Sequence, residues 1–138
     1  MCRTAYIAGL VWALSASGAG AQPAQTRLAL QNVVDEFVKC GVYYSISAEC
    51  VRNGPDPSNL AGRLDAARDR AFQMAYLAAD AIGMKQEALL AKVKMMTAGQ
   101  RKDIANHCMN ISILMQRHLD SCQVVMRDPA DRIRNIPR

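Results

Sequence analysis

At 138 residues, 51% of them hydrophobic and only 21% charged, the chain is apolar enough to bury a core and is sized for one domain. Its net charge of +5 comes from 17 Lys and Arg against 12 Asp and Glu, interspersed along most of the chain. That pattern describes a solvated surface and not a nucleic-acid footprint.

The chain opens with Met1, Cys2 and Arg3 and then runs uncharged from Thr4 to Ala21. Its apolar part gives way to small residues and closes on Ala19-Gly20-Ala21, the small-x-small site of a cleavable secretory signal peptide. The strongly apolar stretch, Ile7 to Leu14, is far short of the roughly 20 residues a membrane-spanning helix needs. Cleavage after Ala21 removes 21 of 138 residues and leaves 117, in the periplasm or outside the cell. Cys2 and Arg3 leave with the leader, so the mature chain carries a net charge of +4 and four cysteines, Cys40, Cys50, Cys108 and Cys122. An even number in an oxidising compartment implies two disulfides.

Apolar residues at Leu30, Val34, Phe37, Gly41, Tyr44, Ala48 and Val51 repeat in steps of 4 and 3, the stripe of a helix packed on another. This first helix is predicted over Thr26 to Arg52 and ends at Asn53-Gly54-Pro55. Asp56 is placed to cap the second helix, with Pro57 at its first position. The second stripe runs Leu60, Leu64, Ala67, Ala71, Met74, Ala78 and Ala81; because it is mostly alanine, a neighbour must approach closely. Gly83 ends it. A third helix is predicted from Lys85 to Met96, with Leu89, Leu90, Val93 and Met96 on its apolar side. Thr97-Ala98-Gly99-Gln100 has the form of a capping box and is read as the start of the fourth helix. The fourth stripe runs Ile104, Cys108, Ile111, Met115, His118, Cys122 and Val125 and stops near Asp128-Pro129. No segment alternates with the period of a strand, so the expected fold is all-α, a small four-helix bundle over residues 22–127. Residues 128–138, with Arg132, Arg134 and Arg138 among Pro129, Asn135 and Pro137, read as a mobile basic tail.

Helix geometry limits the cysteine pairing. Ten steps separate Cys40 from Cys50 by about 15 Å, and fourteen steps separate Cys108 from Cys122 by about 21 Å, at 1.5 Å per residue. A disulfide needs Cα atoms within about 7 Å, so neither pair closes within an intact helix. Both remaining connectivities tie the first helix to the fourth. An up-down-up-down bundle makes those helices antiparallel and selects Cys40 with Cys122 and Cys50 with Cys108.

His107 and His118 share a face but lie some 16 Å apart along a helix, too far to hold one metal. No catalytic residue is assigned, and no cofactor is expected. There is no C-x-x-C, no Gly-rich phosphate loop and no nucleophile beside a histidine in a recognisable setting. The leading functional expectation is an exported, non-enzymatic helical binding protein, chaperone-, adaptor- or inhibitor-like, whose partner is another envelope or extracellular protein. Tyr43 and Tyr76 are the candidate recognition tyrosines, Tyr44 being in the core stripe, and Arg132 and Arg134 extend the candidate surface. The tail is expected to make at most a peripheral contact with anionic lipid. The alternative is a periplasmic haem or metal binder using His118 with a methionine such as Met115. The stretch Met96-Thr97-Ala98-Gly99-Gln100-Arg101 is also similar to the L-T-x-x-Q motif of the Spy and CpxP family of periplasmic helical chaperones, with Met96 in place of the Leu. That resemblance covers six residues, occurs once, and implies a periplasmic, helical protein.

Overall fold

The computed structural model describes residues 24–54 and 59–136. The leader and the Asp56-Pro57 cap lie outside those residues. Five α-helices follow in order: α1 Ala24–Arg52, α2 Leu60–Ala81, α3 Gln86–Asp103, α4 Ile111–Arg127 and α5 Pro129–Arg134. A single 3-10 turn, Cys108–Asn110, leads into α4. The fold is small and all-α, as the periodicity requires.

α1 is the axis of the structure, packing against each of the other four helices and most extensively against α2. Between Phe37 and Ala48 its only charge is Lys39, and Phe37, Val38, Cys40, Gly41, Val42, Tyr43, Tyr44, Ile46, Ser47 and Ala48 are all buried. A helix that is apolar on every side has to be surrounded. Side-chain contacts give each neighbour its direction. Arg52 pairs with Asp65 at 2.7 Å while Gly41 faces Phe72, so α2 runs antiparallel to α1. Asp35 takes Lys92 at 2.7 Å, the Lys39 carbonyl takes Gln100 at 3.0 Å and Glu49 takes Arg101 at 2.5 Å, so α3 runs parallel to it. The two disulfides, Cys40–Cys122 and Cys50–Cys108, make α4 antiparallel. The order is up, down, up, down, and the pairing is the one that this topology selects.

The alanine stripe of α2 does what its small side chains permit. Ala71, Ala75, Ala78 and Ala79 are all but inaccessible to water, and α1 comes so close that the ring of Phe72 sits against the backbone of Gly41. α2 ends in a Schellman arrangement: Gly83 N–H donates to Asp80 O at 2.9 Å, Met84 N–H donates to Ala79 O at 2.9 Å, and Gly83 adopts a φ of 65° that its missing Cβ allows.

Two boundaries differ from the sequence expectation. α3 does not stop at Met96 but continues through Thr97-Ala98-Gly99-Gln100 to Asp103. Thr97 turns its hydroxyl back to Val93 O at 2.8 Å, and Gln100, buried, donates instead to the Lys39 carbonyl of α1. A tertiary partner for Gln100 therefore replaces the reciprocal cap. The chain reverses seven residues later than the capping box suggests, at Ile104–His107, where Ala105 and Asn106 take φ of 50° and 58°. Asn tolerates that region, whereas for Ala it costs about 1–2 kcal/mol. Ile104, almost completely buried, anchors the turn, and Asn110 closes it by donating to the Ile104 carbonyl at 3.1 Å. Cys108 therefore bonds to α1 from the 3-10 turn and not from within α4.

The expected mobile tail is the second difference. Residues 129–134 form α5, with Pro129 buried at its start, Ile133 and Ile136 packed on the core and Arg132 ion-paired to Glu36 of α1. Those two isoleucines supply the apolar anchors that a reading centred on the arginines overlooks.

Candidate functional site

Among the described residues, apolar grooves open between the helices that pack around the long central one. The first lies between α2 and α3. It encloses about 320 Å³ and is lined by Phe72, Ala75, Tyr76, Gln86, Leu89, Leu90 and Val93. Ala75 of α2 and Leu89 of α3, both buried, are the least accessible of its lining residues. Tyr76 and Leu90 stand on its rim, 55% and 58% exposed, with Leu77 and Met95 also open to solvent on the same two helices. Large apolar side chains held in water beside an apolar recess are the usual mark of a contact surface.

The second groove lies at the other end of α2, between α1, α2 and α4. It encloses about 250 Å³. Its walls are apolar, from Val51, Leu60, Leu64, Ile111, Met115 and Leu119, and the Cys50–Cys108 bridge forms part of them. Tyr43 and Ser47 of α1 are its polar residues, and both are buried. Burial holds the Tyr43 phenol above its ordinary pKa, against a smaller opposing effect of the neighbouring Ser47 hydroxyl. That hydroxyl oxygen is inaccessible to water and closes no well-formed hydrogen bond among the described residues.

The candidate residues divide accordingly. Tyr76 is exposed on the rim of the first groove. Tyr43 is not a surface tyrosine: only 2% of it is accessible, because α4 covers the flank that a two-helix view of α1 leaves open. Its ring packs 5.1 Å from Tyr44 and 5.9 Å from the His118 imidazole. Arg132 is occupied by Glu36 and serves to dock α5. Arg134 is exposed and paired with Asp131 within α5; that pairing holds the Asp131 carboxyl below its usual range. Leu60, Leu64, Ile111 and Met115 were legible as stripe residues, but nothing in the sequence said that they would wall a cavity, and Leu119, which also lines it, lies outside the stripe.

His118 is half-buried, and desolvation lowers its pKa, with Lys39 and Arg117 adding to the effect and Asp103 opposing it. Its Nε2 is buried without a hydrogen-bond partner among the described residues. Met115, one turn earlier on α4, is exposed and lines the second groove, whereas His118 is not among the residues that line it. The structure thus does not gather the two around a common cavity. Among the described residues no three His, Cys, Asp or Glu side chains are grouped to hold a metal ion.

Two intramolecular disulfides are the signature of folding in an oxidising compartment. Among the described residues no helix is long and apolar enough to cross a membrane. Comparisons with protein families, with curated proteins and with solved structures find no match to this chain.

Proposed function

We infer that the chain is an exported, non-enzymatic binding protein that engages another envelope or extracellular protein through the groove between α2 and α3. The observation that carries this reading is the rim of that groove, where Tyr76 and Leu90 hold large apolar surfaces in water above a recess lined by Phe72, Leu89 and Val93. Aromatic and branched side chains poised over an apolar pocket supply the desolvated anchors from which most protein–protein affinity comes. The leader read over residues 1–21 and the two disulfides support an extracytoplasmic setting, periplasmic or secreted.

The test is photo-crosslinking from a photoreactive phenylalanine analogue at position 76 in the protein's native compartment, with and without Leu90→Glu. A chaperone or adaptor crosslinks many clients weakly, whereas an inhibitor crosslinks one partner stoichiometrically. In both cases Leu90→Glu should remove most of the product, because a carboxylate on the rim would have to be desolvated on contact. Crosslinking that Leu90→Glu leaves unchanged, or that is absent from position 76, would place the contact elsewhere and overturn the reading.

A further inference from the structure

We propose that the partner segment taken by the α2–α3 groove is a basic amphipathic helix: its apolar side chains enter the recess between Phe72 and Val93, and a Lys or Arg two turns further on meets Asp80. This inference rests on the groove being a contact surface and adds the chemistry of what fills it.

A smaller recess of about 40 Å³ adjoins the groove at the α2–α3 turn. It shares Tyr76, Gln86 and Leu89 with the groove and adds Ala79, Asp80 and Met84. Its volume is little more than the roughly 30 Å³ share of one water molecule, so it takes the end of one side chain and nothing larger.

Asp80 gives the site its sign. Of the three acids of α2, Asp65 and Asp69 are each held by Arg68, whereas Asp80 is exposed and no Lys or Arg pairs with it among the described residues. It stands in the last turn of α2, which carries no basic residue, so its charge adds to the negative end of the helix dipole. Beyond the turn, Lys85 and Glu87 are of opposite sign and line neither recess, and Glu87 lies in the first turn of α3, where it answers the positive end of that helix. A cation at the small recess therefore meets the Asp80 carboxylate, the Gln86 amide oxygen and the ring of Tyr76, three groups that attract it together. An anion there meets like charge.

The spacing selects a helix. Phe72 and Asp80 are eight positions apart on α2, and Gln86 and Val93 seven apart on α3, about 12 Å and 10 Å at 1.5 Å per residue. Side chains at i and i+7 of an incoming helix lie about 10.5 Å apart on one face, and the one at i+4 fills the apolar part between them. In an extended strand, residues about 10 Å apart are three positions apart and point to opposite faces.

The experiment is amide NMR of the oxidised, purified protein titrated with the capped peptide Ac-AAQLAAQLAARAAQ-amide, which sets two leucines and an arginine at i, i+4 and i+7. Analogues carry citrulline or glutamate in place of the arginine. The expected result is saturable shifts at Tyr76, Asp80, Gln86, Leu90 and Val93, with the arginine peptide binding about twofold to fivefold more tightly than the citrulline one and the glutamate peptide weakest. Asp80→Asn should bring the arginine and citrulline peptides to equal affinity, and 1 M salt should do the same. Leu90→Ser, which adds no charge, should weaken all three. Equal binding of the arginine and citrulline peptides to the wild-type protein, with both weakened by Leu90→Ser, overturns the basic helix and leaves the groove standing as a contact surface. If no peptide saturates, the basic helix is likewise overturned, and the crosslinking from position 76 decides the groove by itself. Peptide binding that Leu90→Ser leaves unchanged overturns both. A dimer of the protein alone in sedimentation, dissolved by Leu90→Ser, would assign the groove to a second copy and overturn the proposal.

Discussion

Two glycines in the middle of helices are expected to respond to the same substitution with opposite signs. Gly41 lies in α1 and Gly99 in α3, and replacing a mid-helix glycine by alanine contributes about 0.5–1 kcal/mol through reduced backbone entropy. At Gly99 a new Cβ meets nothing within 4 Å, so that gain is realised in full. At Gly41 the Cβ lands 2.6 Å from Phe72 Cε1, 2.8 Å from Cδ1 and 2.9 Å from Cζ. Three ring atoms inside contact distance force the ring or the helix to move, and overpacking of this kind costs about 1–3 kcal/mol. Subtracting the propensity gain leaves Gly41→Ala destabilising by about 1 kcal/mol, within a range of about 0–2.5 kcal/mol. Urea unfolding followed by far-ultraviolet circular dichroism, with both disulfides intact, resolves shifts of that size as changes in midpoint at constant slope. Phe72→Ala provides the control: without the ring, Gly41→Ala should turn stabilising by about 0.5–1 kcal/mol, a coupling of about 1–3 kcal/mol in the double-mutant cycle. If Gly41→Ala stabilises the protein with Phe72 present, as much as Gly99→Ala does, then the close approach of α1 and α2 is wrong. If Gly99→Ala destabilises it, α3 does not run unbroken through that position.

Under native conditions a small dithiol should reduce Cys50–Cys108 before Cys40–Cys122, since Cys108 is only partly buried while both sulfurs of the second bridge lie in residues with no accessible surface; alkylation and mass spectrometry give the order, and simultaneous loss would contradict it. Each bridge closes a long loop, with sequence separations of 58 and 82, so deleting either pair should lower stability by up to about 4–5 kcal/mol in the chain-entropy account. The lowered pKa of His118 has a sign that can be checked. The folded state binds fewer protons than the unfolded one, so this contribution is complete above the ordinary histidine value of 6.5 and is lost as pH falls through 6.5 towards the lowered folded value. His118→Gln should flatten the stability profile across that window, and an unchanged slope would count against burial as the cause. Arg132→Ala should change global stability by about 1 kcal/mol or less, as half-exposed ion pairs do, yet speed amide exchange across residues 129–134; equal protection in both proteins would mean that Ile133 and Ile136 alone hold α5.

The parts of the fold that were legible in the sequence are those decided by local physics. Gly83 ends α2 through its own left-handed dihedral, whatever lies around it, and α1 ends at Arg52 as its sequence boundary predicts, with Gly54 N–H closing the last turn on Val51 O. The disulfide pairing was legible for a related reason: rise per residue forbids bridges within a helix, and alternating helix direction leaves one pairing. The capping box at Thr97 failed on a different level. Its residues are the right ones for a start, but the Gln100 side chain is buried against α1 and donates to the Lys39 carbonyl across the interface, a tertiary bond that a reciprocal cap would forgo. The true reversal, at Ala105 and Asn106, carries no glycine or proline to announce it.

Tyr43 shows why the candidate site was less legible than the fold. A stripe with period 3.6 sorts residues into inward and outward relative to one neighbour, and by that rule Tyr44 faces in and Tyr43 faces out. α1 has four neighbours, and for a helix at the centre of a bundle the rule no longer discriminates. The signal that could have replaced it is density of charge. Residues 37–48 hold one, Lys39, whereas the first half of α2 places Arg63, Asp65, Arg68, Asp69 and Arg70 within eight positions. A helix with one charge in three turns has no face to give to water, so its tyrosines must be looked for inside. Grooves follow the same logic one step later: they form where the outer helices fail to meet over the central one, a property of their divergence and not of any one stripe. Tyr76 and Ser47 illustrate the two outcomes. The first sits on an outer helix and reaches solvent at a rim, and the second sits on the central helix and faces a cavity that its own sequence neighbours do not define.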